Sequence, residues 1–273
     1  MLKKVEGIIV SSINYGETSK IINILTKDGM IGAIAKGAKN IKSPLRSFTI
    51  NLTYGSFYVY YNDNKLSTLK SVDIIDEFKT IKKDIELISY MTFLLDLTSQ
   101  VMKQNNDEEI YNLLINTLYK INDGLNPMVM TNILELKYLD YLGVGFSFNN
   151  CCKCGKSSNI ITIDPDEGGY ICKNCYTNEI IYDSKTLKML RMYYLVNIES
   201  ISELLEYTVN LNPHTLILLP KPQQKNGEGE LCNIKDKEEK EICMKKLINL
   251  YKRLGFKKIR NSNYMMKKTN LYW

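Results

Sequence analysis

The chain has 273 residues, 44% of them hydrophobic and 24% charged, with a formal net charge of +6; this suffices for a substantial core and suggests about two domains. No apolar run reaches the roughly 18 residues that a membrane-spanning helix needs. The opening Met1-Leu2-Lys3-Lys4-Val5-Glu6-Gly7 meets an acid and a glycine where a secretory signal would turn apolar, so a cytoplasmic protein with no membrane contact is expected.

Charge is segregated. Residues 1–50 carry eight Lys/Arg against three Asp/Glu, residues 245–273 carry nine Lys/Arg and no acid, and the stretch between them is net acidic. Such a distribution suits an anionic partner on some surfaces only.

In chain order, short apolar runs separated by turn residues come first. Strands are expected at 6–12, 19–26, 30–35, 53–61 and 66–72, with Asp28-Gly29 and Asn62-Asp63-Asn64-Lys65 as hairpin signals. Five short strands in so short a span suggest a small closed barrel of the OB kind.

Within this region Lys36-Gly37-Ala38-Lys39-Asn40-Ile41-Lys42-Ser43-Pro44-Leu45-Arg46 places four cations among small and turn-forming residues. Small residues let a phosphate approach the backbone while Lys and Arg neutralise it. Phe48, Tyr54, Phe57, Tyr58, Tyr60 and Tyr61 follow, with Lys65 and Lys70 nearby; outward-facing members could stack bases. A solvated loop and a strand's buried aromatics would look the same, so the pattern alone leaves both readings open.

From Ile74 to about Leu142 the period becomes helical. Ile81, Ile85, Ile88 and Leu95, then Ile110, Leu113, Leu114, Thr117, Leu118 and Ile121, recur at three- and four-residue steps. Asp123-Gly124-Leu125-Asn126-Pro127 breaks the pattern before a further helix over 128–142. Helical spacing resumes at Ser184, through Leu187, Leu190 and Tyr194, and extends towards Tyr207.

Four of the seven cysteines form two pairs, Cys151-x2-Cys154 and Cys172-x2-Cys175. In a reducing compartment this spacing points to metal ligation instead of a disulfide framework. Each pair makes a knuckle that aims two thiolates at one ion, and an intervening hairpin joins the knuckles into a tetrahedron. Four thiolates leave no open position for water, so a structural zinc is expected, not a catalytic one. Cys152, Cys232 and Cys243 remain as free thiols.

Tyr15-Gly16-Glu17-Thr18-Ser19-Lys20-Ile21, Leu25-Thr26-Lys27-Asp28-Gly29, Ala35-Lys36-Gly37-Ala38-Lys39 and Lys42-Ser43 resemble the signature of RecO amino-terminal domains. Gly168-Gly169-Tyr170-Ile171-Cys172-Lys173-Asn174-Cys175 resembles the second half of the RecO zinc ribbon. The likeness runs from residue 1 to about 207. It implies an α+β multidomain protein: an N-terminal OB-fold β-barrel (1–75), then an α-helical domain (76–210) with an inserted four-cysteine zinc ribbon (150–176).

The resemblance also implies a non-enzymatic recombinational repair mediator. Such a protein binds single- and double-stranded DNA, anneals complementary strands and, with RecR, helps load RecA onto strands coated by the single-strand binding protein SSB. It would receive the SSB C-terminal tail on its helical domain and meet the RecA filament only indirectly. Transferred to matching positions, the DNA-contact residues are Lys36, Lys39, Lys42 and Arg46, and the metal ligands are Cys151, Cys154, Cys172 and Cys175.

The basic segment 211–273 departs from the pattern. Its last sixty or so residues resemble the carboxyl end of a GNAT acetyltransferase, without room for the strands and helices of an acetyl-CoA site. Gln224-x-x-Gly227-x-Gly229 is too short a match to a phosphate loop, and the sole histidine, His214, between Pro213 and an expected strand, reads as structural and not as a general base. An acetyltransferase-type enzyme and a zinc-stapled protein-interaction module are therefore the alternatives to a DNA-binding and annealing protein.

Overall fold

The computed structural model describes residues 1–62, 65–164, 167–179 and 181–201. The tail 211–273, with His214, Cys232 and Cys243, lies outside the described residues, as does part of the expected turn at 62–65. The chain divides into two compact units, one running through Leu125 and the other starting at Asn126.

The first unit begins with β1 (Leu2–Tyr15), β2 (Ser19–Thr26), β3 (Gly29–Ala35), β4 (Tyr54–Tyr60) and β5 (Ser67–Asp76), closed into a barrel in the order β1-β2-β3-β5-β4. The β3–β5 pairing is parallel and the others are antiparallel. Alternate positions point inward, and Ile9, Ile22, Ile24, Ala33, Ala35, Phe57, Val59, Leu69 and Val72 fill the interior. These are the residues whose alternation predicts the strands.

Closure between β1 and β4 depends on a facing pair of glycines, Gly7 and Gly55. A Cβ on Gly55 would lie 2.5 Å from the Asp73 carbonyl oxygen, and one on Gly7 2.6 Å from that of Leu25. Neither strand can carry a side chain where the wall comes together. The β2–β3 turn is held by Thr26, whose hydroxyl accepts the Asp28 N–H at 3.2 Å and donates to the Gly29 carbonyl at 2.8 Å.

A short helix, α1 (Leu45–Phe48), lies between β3 and β4. After the barrel come α2 (Lys79–Lys83), α3 (Ile85–Gln104) and α4 (Glu108–Asn122). Asp84 and Asp107 start the two long helices by accepting the N–H of Glu86 at 2.7 Å and of Glu109 at 2.9 Å. Residues 74–76, read from the sequence as helical, instead continue β5: Ile74 pairs with Gly55 and Asp76 with Tyr54. Phe78 then takes a left-handed conformation (φ 45°) and its N–H bonds to the Asp76 carboxylate at 2.6 Å, which ends the strand before α2.

The second unit contains α5 (Pro127–Tyr141), β6 (Ser147–Cys151), β7 (Ile160–Asp164), β8 (Gly169–Cys172) and α6 (Ser184–Leu195). Asn126 caps α5 by accepting from Met128 and Val129, with Pro127 in the first turn where its missing N–H costs nothing. The three strands form a small sheet in the order β6-β8-β7. Helix α6 stops at Leu195, where Val196 turns extended; the part of the expected helix beyond residue 201, Tyr207 included, lies outside the described residues.

Candidate nucleic-acid interface and metal centre

The segment from Lys36 to Phe48 leaves the barrel at the end of β3 and folds as consecutive turns into α1. Gly37, at φ +70°, allows the first reversal, and the Asn40 N–H donates to its carbonyl at 3.0 Å. Ala38 is fully buried and pins the loop to the core. Lys36, Lys42 and Arg46 are exposed and form no ion pair among the described residues.

Lys39 differs from the other three. Its N–H donates to the Thr18 carbonyl at 2.8 Å and its ammonium to the Gly16 carbonyl at 3.1 Å. It therefore ties the loop to the turn between β1 and β2. On the far side of the loop, the Ser12 hydroxyl and the Lys20 ammonium both donate to the Thr49 carbonyl, at 2.7 and 3.1 Å. The hairpin thus grips the loop at both ends, a role that the count of lysines does not reveal.

The aromatic residues divide between the two readings the sequence leaves open. Tyr54 and Phe57 are buried, and Phe48 packs against the barrel core. Tyr54 stacks on Phe78 with centroids 5.7 Å apart and donates to the Glu6 carboxylate; burial first, and that hydrogen bond second, push its hydroxyl far above the ordinary range. Tyr60 is exposed, Tyr58 is half-buried, and Tyr61 has the Lys3 ammonium 3.8 Å above its ring. Of this group, Tyr60 is the one fully on the surface, and Phe48, Tyr58 and Tyr61 are partly so.

In the second unit Cys151, Cys154, Cys172 and Cys175 come together with all four sulfurs within 4.8 Å of one another. Cys154 Sγ and Cys172 Sγ are 3.6 Å apart. A tetrahedral zinc with bonds of about 2.3 Å requires sulfur separations of about 3.8 Å, so the set fits such an ion. Cys151 ends β6, Cys172 ends β8, and the parallel β6–β8 pairing, with Cys151 opposite Tyr170, sets their separation. Gly155, at φ +74°, closes the first knuckle by donating its N–H to the Cys151 carbonyl at 2.8 Å, and Cys175 N–H closes the second on Cys172 at 3.0 Å.

The thiols of the cluster sit in uneven surroundings. Burial raises the Cys151 thiol, but backbone N–H groups of Cys172, Cys154 and Lys153 outweigh it and bring the pKa down to about 6. Cys175, hydrogen-bonded to the Cys154 sulfur and then desolvated, is pushed up to about 12. Four adjacent thiols cannot all ionise unless a positive ion neutralises them. Cys152 is exposed, with its N–H on the Tyr170 carbonyl at 2.8 Å, and takes no part in the cluster.

Lys153, inside the first knuckle, reaches Glu179 beyond the second at 3.4 Å and Glu167 at 3.8 Å. Burial would raise the Glu179 carboxyl, but the Thr177 N–H and hydroxyl and the Lys153 ammonium hold it at about 2. The sheet packs on α6 through Phe148, whose ring centroid is 5.2 Å from that of Tyr170 and 4.8 Å from that of Tyr194. The Tyr170 hydroxyl donates to the Leu187 carbonyl, and Arg191 donates to Asn149 at 2.9 Å.

Comparison with known proteins agrees with this arrangement. Residues 1–78 match the family described as recombination protein O N terminal, and residues 82–205 match recombination protein O C terminal. Neither match extends into the segment that resembles an acetyltransferase end. Among curated relatives, the DNA repair protein RecO of Bacillus cytotoxicus is 32% identical over 199 residues, covering 71% of this chain and 80% of that protein. The DNA repair protein RecO of Halalkalibacterium halodurans is 29% identical over 220 residues, covering 79% and 84%; that of Listeria monocytogenes is 28% identical over 208 residues, covering 74% and 81%. With a closed five-stranded barrel, helices and a four-cysteine cluster in that order, the chain belongs to the RecO family of DNA repair proteins, and its role lies in recombinational repair.

Proposed function

We propose that the protein binds single- and double-stranded DNA through the loop at 36–46, anneals complementary strands, and acts with RecR to load RecA onto SSB-coated single strands in the cytoplasm. The observation that carries this reading is the trio Lys36, Lys42 and Arg46, exposed and without ion pairs among the described residues, on a loop anchored to a closed barrel. Cations free of internal partners are available to displace counterions from phosphates. Held along two strands at once, they lower the repulsion that opposes pairing, so duplex nucleation needs no covalent step and no enzymatic activity is assigned.

We assign zinc to the cysteine cluster and give it a structural part: its four thiolates complete the shell, and the ion fixes the sheet that carries Phe148 and Tyr170 against α6. RecR, RecA and the SSB tail enter by membership of the family, with the helical part of the chain as the surface that receives the SSB tail.

Annealing of complementary fluorescent strands tests the proposal. Lys36→Glu with Lys42→Glu abolishes annealing at moderate salt while circular dichroism and zinc content stay as in the parent chain. Annealing at the parent rate in the double variant removes the loop from the reading. Lys39 is left in place because its contacts with Gly16 and Thr18 are structural.

A further inference from the structure

The barrel carries an apolar outer row beside the cationic loop, and its strand register places the two on one face. Ile13 pairs with Ile21, and Ile21 with Ile34, across β1, β2 and β3. Tyr15 pairs with Ser19, next to the Lys20–Ala35 pair that ends the β2–β3 ladder, and Lys36 follows Ala35 as the first residue of the loop. Ile22, Ala33 and Ala35, of opposite parity, are fully buried, so Ile13, Ile21, Ile34 and Tyr15 lie on the outside of the wall.

This face is exposed: Ile13 has 58% and Tyr15 52% of its surface open, and Ile41 on the adjoining loop has 85%. The tyrosine makes no hydrogen bond or ring contact among the described residues, whereas Tyr54, Tyr58 and Tyr61 all have partners. Its backbone is nevertheless fixed. The turn that follows it is held through Gly16 and Thr18 by Lys39, on the loop that presents Lys36 and Lys42. An exposed, unpartnered aromatic ring on an anchored backbone, on the face that adjoins the unpaired cations, is complementary to a strand whose bases are unstacked: cations take the phosphates and the ring takes a base.

We infer that Tyr15, flanked by Ile13 and Ile21, is a base-stacking residue for single-stranded DNA whose phosphates lie on Lys36 and Lys42. This rests on the DNA-binding reading above and deepens it, since phosphate contacts alone do not touch the bases and a stacking residue favours unpaired ones. Holding a base unpaired beside the loop also presents its pairing edge to an incoming strand.

Fluorescence anisotropy tests this with the full chain, labelled oligothymidylate and an abasic strand of equal length. Tyr15→Ala is expected to weaken oligothymidylate binding roughly five-fold or more, and Tyr15→Phe to keep it within about two-fold, because stacking needs the ring and not the hydroxyl. On the abasic strand, parent and Tyr15→Ala bind equally. Parent-level oligothymidylate binding by Tyr15→Ala overturns the inference, and so does an equal loss on both strands. A changed oligomeric state of Tyr15→Ala in sedimentation, with DNA affinity unchanged, assigns the face to a second copy of the chain and also overturns it. If the parent chain binds neither strand, the failure belongs to the DNA-binding reading itself.

Discussion

Lys153 and Glu179 show what a residue pair adds to a metal knuckle. Their contact links the first cysteine pair to the segment after the second, so the four sulfurs are held by more than the hairpin. With the Glu179 carboxyl at about 2, the folded pKa lies below the ordinary 4.5. Its stabilising contribution is therefore complete above about 4.5, disappears as pH falls towards 2, and is constant through neutrality. Glu179→Gln at pH 7 is expected to speed transfer of bound zinc to a chelator severalfold, read with a colorimetric zinc indicator, while stoichiometry stays at one ion per chain. Cys172→Ser is expected to abolish stoichiometric zinc and lower the thermal midpoint of the chain, because the ligands outweigh the support around them. The cysteines were legible from their spacing alone. Glu179 was not: one acid among many in the sequence, it gains its role only when the fold brings Thr177 and Lys153 to it.

At the scale of elements, alternation and caps carry most of the information. The strands follow inward residues such as Ile22, Ile24 and Ala33, and the helices begin where Asp84, Asp107, Asn126 and Asp183 supply acceptors. Asp183 accepts from Lys185 and Thr186 N–H groups at 2.9 Å and from the Thr186 hydroxyl at 2.6 Å. Burial raises its carboxyl, but these bonds outweigh burial and lower it from the ordinary 3.8. Asp183→Ala should therefore cost about 1 kcal/mol at neutral pH, and the difference from the parent should shrink as pH drops below 3.8, followed by thermal melts over pH 3–7. Gly55→Ala should destabilise by more, because its Cβ meets backbone at Asp73; overpacking of this kind typically costs about 1–3 kcal/mol. Chemical denaturation checks it, and a midpoint equal to the parent's would show that the wall can yield there. The extension of β5 through Asp76 escapes sequence reading because Ile74 and Ile75 next to Asp73 and Asp76 fit a helical period as well as an extended one; pairing with Tyr54 and Gly55 decides it.

At the scale of the whole molecule, the fold separates two tasks. One unit presents a barrel with a cationic loop, and the other builds a sheet on α6 that carries the four-cysteine cluster; the excess of Lys/Arg in residues 1–50 falls within the first unit, on its barrel part, and does not mark the boundary between the two. The position of the loop was legible as a run of Lys and Arg. Its internal division was not, because only the fold shows Lys39 bound to Gly16 while Lys36, Lys42 and Arg46 remain available. The same holds for the aromatics: the sequence groups Tyr54 and Phe57 with Tyr60, yet the barrel buries the first two and exposes the third.

The salt dependence of single-strand binding tests the central claim most directly. Each phosphate neutralised contributes about 0.7 to the slope of log affinity against log salt for single strands. Titration of labelled single-stranded DNA across a range of salt should therefore give Lys36→Glu with Lys42→Glu a slope shallower than the parent's by about 1.4, together with weaker binding at every salt. An unchanged slope and affinity in that variant, with its fold and zinc content intact, would contradict the account.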